Sequence, residues 1–309
     1  MEEVYVVLPE SLRSVISQFP FSLHEQIEEI RVRIHRPLEI IAAGKPYYPE
    51  RNGKSYIVTR EDAKHLLNQL SQYSLYAFEE ELKQGYITIR GGHRVGLAGK
   101  VIVENGQVKA LKEISSYNIR IAKQKIGVAQ RLIPHIYDGG WLNTLLIGPP
   151  QTGKTTMLRD IARVISYGSK KANIPPSKVG IVDERSEIAA CVHGIPQHDL
   201  GSRVDVLDGC PKADGMMMLI RSMSPDVLIV DEIGRKEDAV AIHEAINAGV
   251  QLVTTIHGFD MEDIEHRPIV KELLEMKVFD RCIELAKGER AGTIKRIRNS
   301  GKKDVVRVI

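Results

Sequence analysis

Residues 145–160, LLIGPPQTGKTTMLRD, decide the fold of this protein. The stretch begins as an apolar run, breaks at a glycine and two prolines, turns at Gly153 and continues as a helix-compatible segment. Residues 148–155, GPPQTGKT, match the pattern G-x-x-x-x-G-K-[ST] between an apolar strand and a helix. The sequence therefore predicts a loop that binds the phosphates of a nucleotide.

The predicted loop brings three kinds of group to a triphosphate. Successive backbone N–H groups and the amino end of the following helix attract phosphate oxygens. Lys154 supplies a point charge toward the β- and γ-phosphates, and the Thr155 hydroxyl is a ligand for Mg²⁺. The predicted nucleotide-binding residues are Gly148, Pro149, Pro150, Gln151, Thr152, Gly153, Lys154, Thr155 and Thr156.

A second strand, ending in two acids, supports this site. Residues 225–232, PDVLIVDE, contain four consecutive apolar residues followed by Asp231 and Glu232. At the carboxyl end of a buried strand beside the loop, Asp231 can hold Mg²⁺ through its water shell. We expect Glu232 to accept a proton from the water that attacks the γ-phosphate.

Two more strands are predicted to end in polar residues at the same edge of the sheet, where ligands of open parallel sheets bind. The first is residues 179–187, VGIVDERSE, which adds three carboxylates and an arginine. The second is residues 252–258, LVTTIHG, whose His257 can form a hydrogen bond with the γ-phosphate. His243 lies inside a helical pattern and is interpreted as structural.

The pattern of strands and helices divides the chain in two. From about residue 126, uniformly apolar strands alternate with helices, which predicts a mostly parallel sheet covered on both faces. The last three strands are short and close together, so we expect antiparallel edge strands there. The predicted domains are an α+β domain, residues 1–122, and an α/β domain, residues 123–309.

Local patterns in the first domain predict individual elements. Ile30 and Val32 alternate with charged residues, as in a half-exposed strand. Thr59, with Asp62 three positions later, is expected to cap a helix. Asn105-Gly106 between two strand-like segments predicts a two-residue hairpin turn.

Composition limits what the protein can be. The chain has 309 residues, 43% hydrophobic and 27% charged, which is enough for two domains with their own cores. No apolar stretch approaches the roughly 18 residues needed to span a bilayer, and the start, MEEVYVVLPE, lacks the basic beginning of a secretory signal. We therefore expect a cytoplasmic protein. The spacing of Cys191, Cys210 and Cys282 supports neither a disulfide framework nor a zinc site.

The order of these motifs resembles that of the secretion ATPases of types II and IV and the pilus motors. Those proteins carry a phosphate-binding loop, an aspartate box, a Walker B strand preceded by an arginine and Pro-Asp, and a histidine box. The corresponding stretches here are GPPQTGKT, VDERSE, LIRSMSPDVLIVDEIG and LVTTIHGFD. The ending FDRCIELAKGERAGTIKRI is also similar, and the likeness runs from about Tyr86 to the end. Within this group, the chain is most similar to the sporulation stage III branch of spore-forming bacteria.

The resemblance implies a RecA-like P-loop NTPase domain that binds ATP with Mg²⁺ and hydrolyses ATP. It also implies a homo-hexamer in the mother-cell cytoplasm. That hexamer would associate peripherally with membrane proteins of a channel toward the forespore, and nucleic acid is not an expected partner.

By position, the resemblance assigns six acidic or histidine side chains to its motifs. Asp231 and Glu232 fall on the Walker B strand, and His257 falls on the histidine box. Asp183 is a candidate metal ligand together with Thr155 and Asp231, while the division of roles among the aspartate-box carboxylates stays open. The other aspartate-box residues, both candidate catalytic residues, are Glu184 and Glu187.

The transition state of γ-phosphoryl transfer also calls for an arginine, which typically contributes about 10³ to 10⁵ in rate. In the resembled proteins this arginine comes from the first domain. Arg94 and Arg120 are the candidates by position, with Arg90 beside them and Arg221 as an alternative within the second domain.

Two features depart from the resembled pattern. Pro150 and Gln151 stand where the secretion ATPases usually have a small residue or glycine, and proline lacks a backbone N–H. This changes the set of amides available to phosphate. The aspartate box reads Asp-Glu-Arg-Ser where that group usually has Glu-Asp-Pro.

Three other functions stay open from the sequence. A hexameric nucleic-acid translocase is compatible with VDER, RGGHRVG and a basic C-terminal tail, but aromatic residues are only 5% of the chain and none lies in that tail. An AAA-type remodelling ATPase suits GPPQTGKT, although VTTIH lacks the asparagine common at that strand end. A nucleotide-binding scaffold that hardly hydrolyses ATP is the third. The basic residues of the tail are Lys287, Arg290, Lys295, Arg296, Arg298, Lys302, Lys303 and Arg307.

Overall fold

The computed structural model describes residues 1–71, 85–104, 106–288 and 291–307, so the predicted turn residue Asn105 and the tail residue Arg290 lie outside the described residues. The chain forms two compact units, Met1–Lys123 and Gln124–Ile309. Within the described ranges, no helix is long and apolar enough to cross a bilayer.

An antiparallel sheet organises the first unit. Its described helices are α1 (Glu2–Val7), α2 (Glu10–Ile16), α3 (Phe21–His24) and α4 (Arg60–Leu70). Its strands are β1 (Ile27–Arg33), β2 (Glu39–Ala42), β3 (Lys45–Tyr47), β4 (Glu50–Arg51), β5 (Lys54–Ser55), β6 (Tyr86–Ile89), β7 (His93–Glu104) and β8 (Gln107–Arg120). Six strands form a sheet in the order β3-β2-β1-β8-β7-β6, and β4 pairs with β5 in a separate ladder.

The predicted strand and the predicted helix cap of this unit are confirmed, while the predicted turn includes Asn105, outside the described residues. Ile30 and Val32 are fully buried on β1, while the residues between and beside them are partly exposed. The Thr59 hydroxyl accepts a hydrogen bond from Asp62 N at 3.1 Å, and the Asp62 carboxylate accepts one from Thr59 N at 2.8 Å. This reciprocal cap satisfies two backbone donors at the start of α4. Strands β7 and β8 pair as an antiparallel hairpin.

A mostly parallel sheet organises the second unit. Its described helices are α5 (Ile133–Ile136), α6 (Lys154–Tyr167), α7 (Lys212–Ser222), α8 (Lys236–Asn247), α9 (Met261–Ile264) and α10 (Pro268–Glu275). Its strands are β9 (Thr144–Gly148), β10 (Val179–Asp183), β11 (Val204–Asp208), β12 (Val227–Val230), β13 (Gln251–His257), β14 (Arg281–Ala286), β15 (Thr293–Asn299) and β16 (Asp304–Arg307). The strand order is β11-β10-β12-β13-β9-β14-β15-β16.

The predicted α/β architecture is confirmed, and the pairing adds two details. Neighbouring strands are parallel from β11 to β14, including the pair formed by β14 and β9, so the antiparallel edge begins at β15. The sequence patterns did not predict β11. Its residues, VDVLD, are half-exposed and include two aspartates, which are uncommon in strands, and such a composition suits an edge position.

The strand before the predicted phosphate loop is buried on both faces. Leu146 packs in one apolar core of the second unit, while Leu145 and Ile147 pack in another, and all three are fully buried. Because neighbouring strand residues point to opposite faces, helices must cover both sides of the sheet. Each such side chain contributes about 1.5 to 3 kcal/mol of burial free energy. The polar site residues therefore come only after the strand ends, at a shared edge.

Candidate nucleotide-binding site

The predicted phosphate loop joins β9 to α6. Gly153 has φ +89° and lies immediately before the first residue of α6, a backbone conformation that suits glycine. Gln151 also has a positive φ, +66°, within the loop. Since α6 has 14 residues, its amino end carries the unpaired N–H groups and partial positive charge that attract anions.

The C-terminal strands pack directly against this loop. Gly292, which precedes β15, donates a backbone hydrogen bond to the Thr152 carbonyl at 2.8 Å. A Cβ atom at Gly153 would lie 2.7 Å from the nitrogen of Gly292, and one at Gly292 would lie 2.7 Å from the Met157 side chain. Two glycines therefore allow the contact between the loop and the turn before β15.

The Lys154 side chain folds into the loop. Its ammonium donates hydrogen bonds to the carbonyl oxygens of Gly148 at 2.6 Å and Pro149 at 3.1 Å, and it lies 2.9 Å from His257 Nδ1. Burial lowers the pKa of Lys154, while the nearby carboxylates Asp231 and Glu232 act in the opposite direction. A phosphate entering the loop would give this ammonium an anionic partner in place of the neutral carbonyls.

Asp231 links the loop to two other strands. The Thr155 hydroxyl donates a hydrogen bond to Asp231 Oδ2 at 2.9 Å, and the Thr255 hydroxyl binds the other oxygen of the same carboxylate. The backbone N–H of Glu232 donates to Thr255 Oγ1 at 2.9 Å. The start of α6, the end of β12 and strand β13 thus meet at one edge of the sheet.

Glu232 has partners on both carboxylate oxygens. His257 Nε2 lies 2.5 Å from Glu232 Oε1, and Arg185 Nη1 donates to Glu232 Oε2 at 2.9 Å. Because the Lys154 ammonium can only donate, the facing Nδ1 of His257 accepts, which places the imidazole proton on Nε2 toward Glu232. Glu232 itself has φ +54°, a conformation that is uncommon for a non-glycine residue and is found at functional sites.

The carboxylate of Asp183, the candidate metal ligand of the aspartate box, accepts hydrogen bonds from backbone N–H groups. One of its oxygens accepts the N–H of Glu187 at 2.8 Å, and the other accepts those of Ile188 at 2.9 Å and Ala189 at 2.8 Å. Burial raises the pKa of Asp183 to about 6, although these three N–H groups favour the ionised form. In this arrangement the carboxylate holds the turn after β10 in place.

An arginine from α6 fixes the same turn from the other side. Arg159 donates hydrogen bonds to the carbonyls of Ile188 and Glu187, both at 2.6 Å. The turn after β10 is therefore held by Asp183 through its amides and by Arg159 through its carbonyls.

Glu184 and Glu187 line a cavity beside the Walker B acids. The Glu184 carboxylate binds the buried ammonium of Lys212 and lies 3.6 Å from Arg235 Nη1. Burial acts to raise the pKa of Glu184, but the hydrogen bond and charge of Lys212 outweigh it and lower the pKa. The Glu187 residue is exposed. The cavity is lined by Asp183, Glu184, Arg185, Glu187, Lys212, Asp231 and Glu232.

The residues present fit a magnesium–nucleotide complex. In the described part of the chain, no group of three or more His, Cys, Asp or Glu side chains could hold a metal ion by itself. The adjacent Thr155 hydroxyl and Asp231 carboxylate are oxygen ligands of the type that Mg²⁺ prefers, and Mg²⁺ usually completes its shell with water and phosphate oxygens. They would hold the ion and leave its remaining positions to the nucleotide and water.

The candidate arginines of the first unit make contacts within that unit. The Arg94 guanidinium lies 3.4 Å from the centroid of the Tyr86 ring. Arg120 Nε lies 3.8 Å from Glu29 Oε1, and 63% of the Arg120 side chain is exposed. Arg94 and Arg120 are cross-strand neighbours on β7 and β8. Their predicted catalytic role stays a prediction.

The basic C-terminal tail is paired with acids of its own unit. Arg298 Nη2 donates to Glu262 at 2.6 Å, and Arg296 Nε lies 3.5 Å from Asp304. Lys302 binds Glu265. Part of the positive charge of the tail, which suggested phosphate binding, therefore lies in ion pairs that join β15 and its neighbours to α9.

Sequence reasoning did not assign a role to Arg159, Lys212 or Thr255. Thr255 had a readable signal, since it is a polar residue inside an otherwise apolar strand. Arg159 and Lys212 stand at helical positions with no motif around them, and their roles follow from contacts with the distant VDERSE stretch.

A family model described as sporulation stage III, protein AA matches residues 1–305. A protein of Bacillus subtilis (strain 168) named stage III sporulation protein AA is 57% identical over 297 residues, covering 96% of this chain and 94% of that protein.

Two solved structures have a similar fold. The Legionella pneumophila ATPase DotB superposes with a TM-score of 0.59 at 14% identity, covering 94% of this chain and 79% of that one. The pilus retraction motor PilT, solved with bound ADP, gives a TM-score of 0.59 at 15% identity, covering 89% and 76%. At these identities the likeness concerns the fold, and it confirms the resemblance to secretion ATPases and pilus motors.

Proposed function

This chain belongs to the sporulation stage III, protein AA family, and from that premise we propose that it is a Mg²⁺-dependent ATPase motor. ATP is the substrate, and ADP and phosphate are the products. The motor works in the mother-cell cytoplasm during sporulation, at a membrane channel directed toward the forespore.

One observation carries the proposal. Lys154, Thr155, Asp231, Glu232 and His257 come from two strand ends and the first turn of α6, yet they form a continuous set of contacts. A positive charge for the phosphates, a hydroxyl beside a carboxylate for Mg²⁺, and a second carboxylate that can accept a proton are groups that serve phosphoryl transfer to water. A scaffold that only bound phosphate would have no use for the second carboxylate.

The side chains divide the reaction between them. Lys154 and the amino end of α6 bind the β- and γ-phosphates and orient the γ-phosphorus. When bound between Thr155 and Asp231, Mg²⁺ supplies neutralising charge for the phosphate oxygens. Glu232 accepts the proton of the attacking water as the bond between γ-phosphorus and the β–γ bridging oxygen breaks. His257 donates its Nε2 proton to hold or orient Glu232 and, once Lys154 binds phosphate, can turn toward the γ-phosphate.

The wider assembly is part of the same proposal. The solved structure of PilT is described as a retraction motor, and that of DotB as an ATPase. By analogy, six copies of this chain form a ring, and membrane proteins of the channel are its partners. Arg94 and Arg120 are the proposed source of an arginine that completes the active site.

The test compares wild type with Lys154→Ala in a phosphate-release assay, with and without Mg²⁺, over a range of protein concentrations. We expect hydrolysis by wild type to depend on Mg²⁺. Lys154→Ala should lower its rate at least 100-fold, because the positive charge that binds the phosphates is removed. Lys178→Ala is the control, because Lys178 precedes β10 at the opposite edge of the sheet. Specific activity that rises with concentration would support the ring. Equal hydrolysis by wild type and Lys154→Ala would refute the ATPase.

A further inference from the structure

Arg185 holds the carboxylate that the proposed reaction uses as its base. Its Nη1 atom donates to Glu232 Oε2 at 2.9 Å, and His257 occupies the other oxygen of Glu232 at 2.5 Å. With one donor on each oxygen, the carboxylate has no unengaged oxygen to face a water. In this arrangement Glu232 is unsuited to act as a base.

Of the two cations that line the cavity within the described ranges, Lys212 is buried and Arg185 is not. The side chain of Arg185 is 64% exposed, whereas that of Lys212 is 9% exposed and is bound to Glu184. Moving Lys212 would separate a buried ammonium from the partly buried Glu184 carboxylate, at a cost in free energy. Moving Arg185 breaks its hydrogen bond to Glu232 at a partly exposed site.

The chemistry of the guanidinium favours phosphate over this carboxylate. Arginine offers two parallel N–H donors that match two oxygens of a phosphate, whereas Glu232 presents a single oxygen to it here. Asp231, which contacts Thr155 in the phosphate loop at 2.9 Å, lines the same cavity as Arg185. A γ-phosphate bound at Thr155 and Lys154 would therefore enter the space beside Arg185.

We propose that Arg185 is a γ-phosphate-responsive catalytic residue that acts within its own subunit. Without a triphosphate, Arg185 holds Glu232 inactive. With ATP bound, its guanidinium transfers to the γ-phosphate, stabilises the charge of the transition state and frees a Glu232 oxygen for the attacking water. This inference rests on the proposed ATPase function and adds to it an arginine from the same unit as the phosphate loop.

The proposal predicts a specific difference between nucleotides. ADP has no γ-phosphate, so its affinity should not depend on Arg185. Arg185→Ala should weaken binding of the non-hydrolysable analogue AMP-PNP about 10-fold in the presence of Mg²⁺, and it should lower kcat at least 100-fold. Arg185→Lys, which keeps the charge but loses the paired donors, should fall between wild type and Arg185→Ala.

The experiment measures ADP and AMP-PNP affinities by isothermal titration calorimetry and kcat by phosphate release. Arg203→Ala is the control, since Arg203 is exposed and precedes β11 at the opposite edge of the sheet. Circular dichroism melting establishes that the variants are folded. Loss of AMP-PNP affinity with unchanged ADP affinity supports the proposal.

Three results would overturn it. Equal losses of ADP and AMP-PNP affinity would mean that Arg185 only shapes the site. Unchanged kcat in Arg185→Ala, with loss in Arg94→Ala or Arg120→Ala, would assign the charge to the first unit. Wild type that binds neither nucleotide would refute the ATPase function itself, a result distinct from the other two.

Discussion

Two turns at the same edge of the parallel sheet use their charged groups in opposite ways. At the phosphate loop, Lys154, Glu232 and His257 contact one another mainly through side chains. At the turn after β10, Asp183 binds three backbone amides, and Arg159 binds two backbone carbonyls. The first set can be exchanged for contacts with a ligand, whereas the second set belongs to the fold.

This difference distinguishes two roles that a carboxylate in an acidic motif can have, one in the fold and one in ligand binding. A carboxylate that binds backbone amides is already satisfied, and replacing those bonds by a ligand would leave N–H groups unpaired at a cost of about 1 to 3 kcal/mol each. A carboxylate that binds side-chain donors leaves no backbone N–H group unpaired when a ligand replaces them. On this reasoning we expect Asp183 to act on stability, and we propose that Asp231 and Glu232 act on nucleotide chemistry.

The largest expected effect concerns Glu232, whose side-chain contacts can be exchanged for contacts with a ligand. Glu232→Gln should lower kcat by about 10² to 10⁴, because the amide cannot accept the proton of the attacking water. Its free energy of unfolding should change by less than about 1 kcal/mol, since its partners include an exposed arginine. Phosphate release and urea unfolding measure the two quantities. Glu237→Gln, at an exposed site on α8, is the matched control, and equal turnover in Glu232→Gln and wild type would exclude Glu232 as the base.

The next largest effect concerns Asp183, whose contacts with backbone amides belong to the fold. Asp183→Ala leaves three amide donors without their acceptor, so we expect a loss of about 3 kcal/mol or more in the free energy of unfolding. For a unit of this size, Tm should fall by about 6 to 12 °C. Asp205→Ala, on the neighbouring edge strand, should change stability by less than about 0.5 kcal/mol. If Asp183→Ala kept its Tm and lost Mg²⁺-dependent hydrolysis, Asp183 would be a metal ligand and the comparison would fail.

The smallest effect is a dependence of stability on pH. The pKa of Asp183 is raised from 3.8 to about 6 in the folded protein, mainly by burial. A raised pKa gives a stabilising contribution that is complete below about pH 4 and is lost as the pH rises through 6. Relative to Asp183→Asn, wild type should lose up to about 1.4 kcal/mol per pH unit between pH 4 and 6. Urea unfolding of both proteins over this range tests the sign, and a wild type that gained stability relative to the variant would contradict it.

The fold and the central part of the candidate site could be predicted from sequence where consecutive residues determine the structure. Strand β9, the loop and α6 are consecutive, so an apolar run, two glycines and a lysine in fixed spacing predict one geometry. The same holds for Asp231 and Glu232, which directly follow an apolar strand. In each case neighbouring residues determine which way the backbone turns.

The separate roles of the residues in VDERSE could not be predicted from sequence, because contacts with residues distant along the chain determine them. Nothing in the stretch indicates that Asp183 faces three amides, or that Arg159, more than twenty residues earlier, binds the carbonyls of the same turn. The role of Arg185 likewise depends on Glu232 being brought beside it by the pairing of β10 with β12. Sequence spacing gives the positions of such charges along the chain but not their partners.

The pairing of β9 with β14 has a consequence for synthesis of the protein. Thr144 on β9 pairs with Arg281 on β14, and Gly292 then meets the phosphate loop. A nascent chain that has left the ribosome only through α10 lacks both contacts, so one edge of its central strand is open to foreign strands. The proposed phosphate-binding loop therefore reaches its final structure only after β14 and β15 have been synthesised, and termination of translation before β14 should yield an aggregating product rather than a weak enzyme.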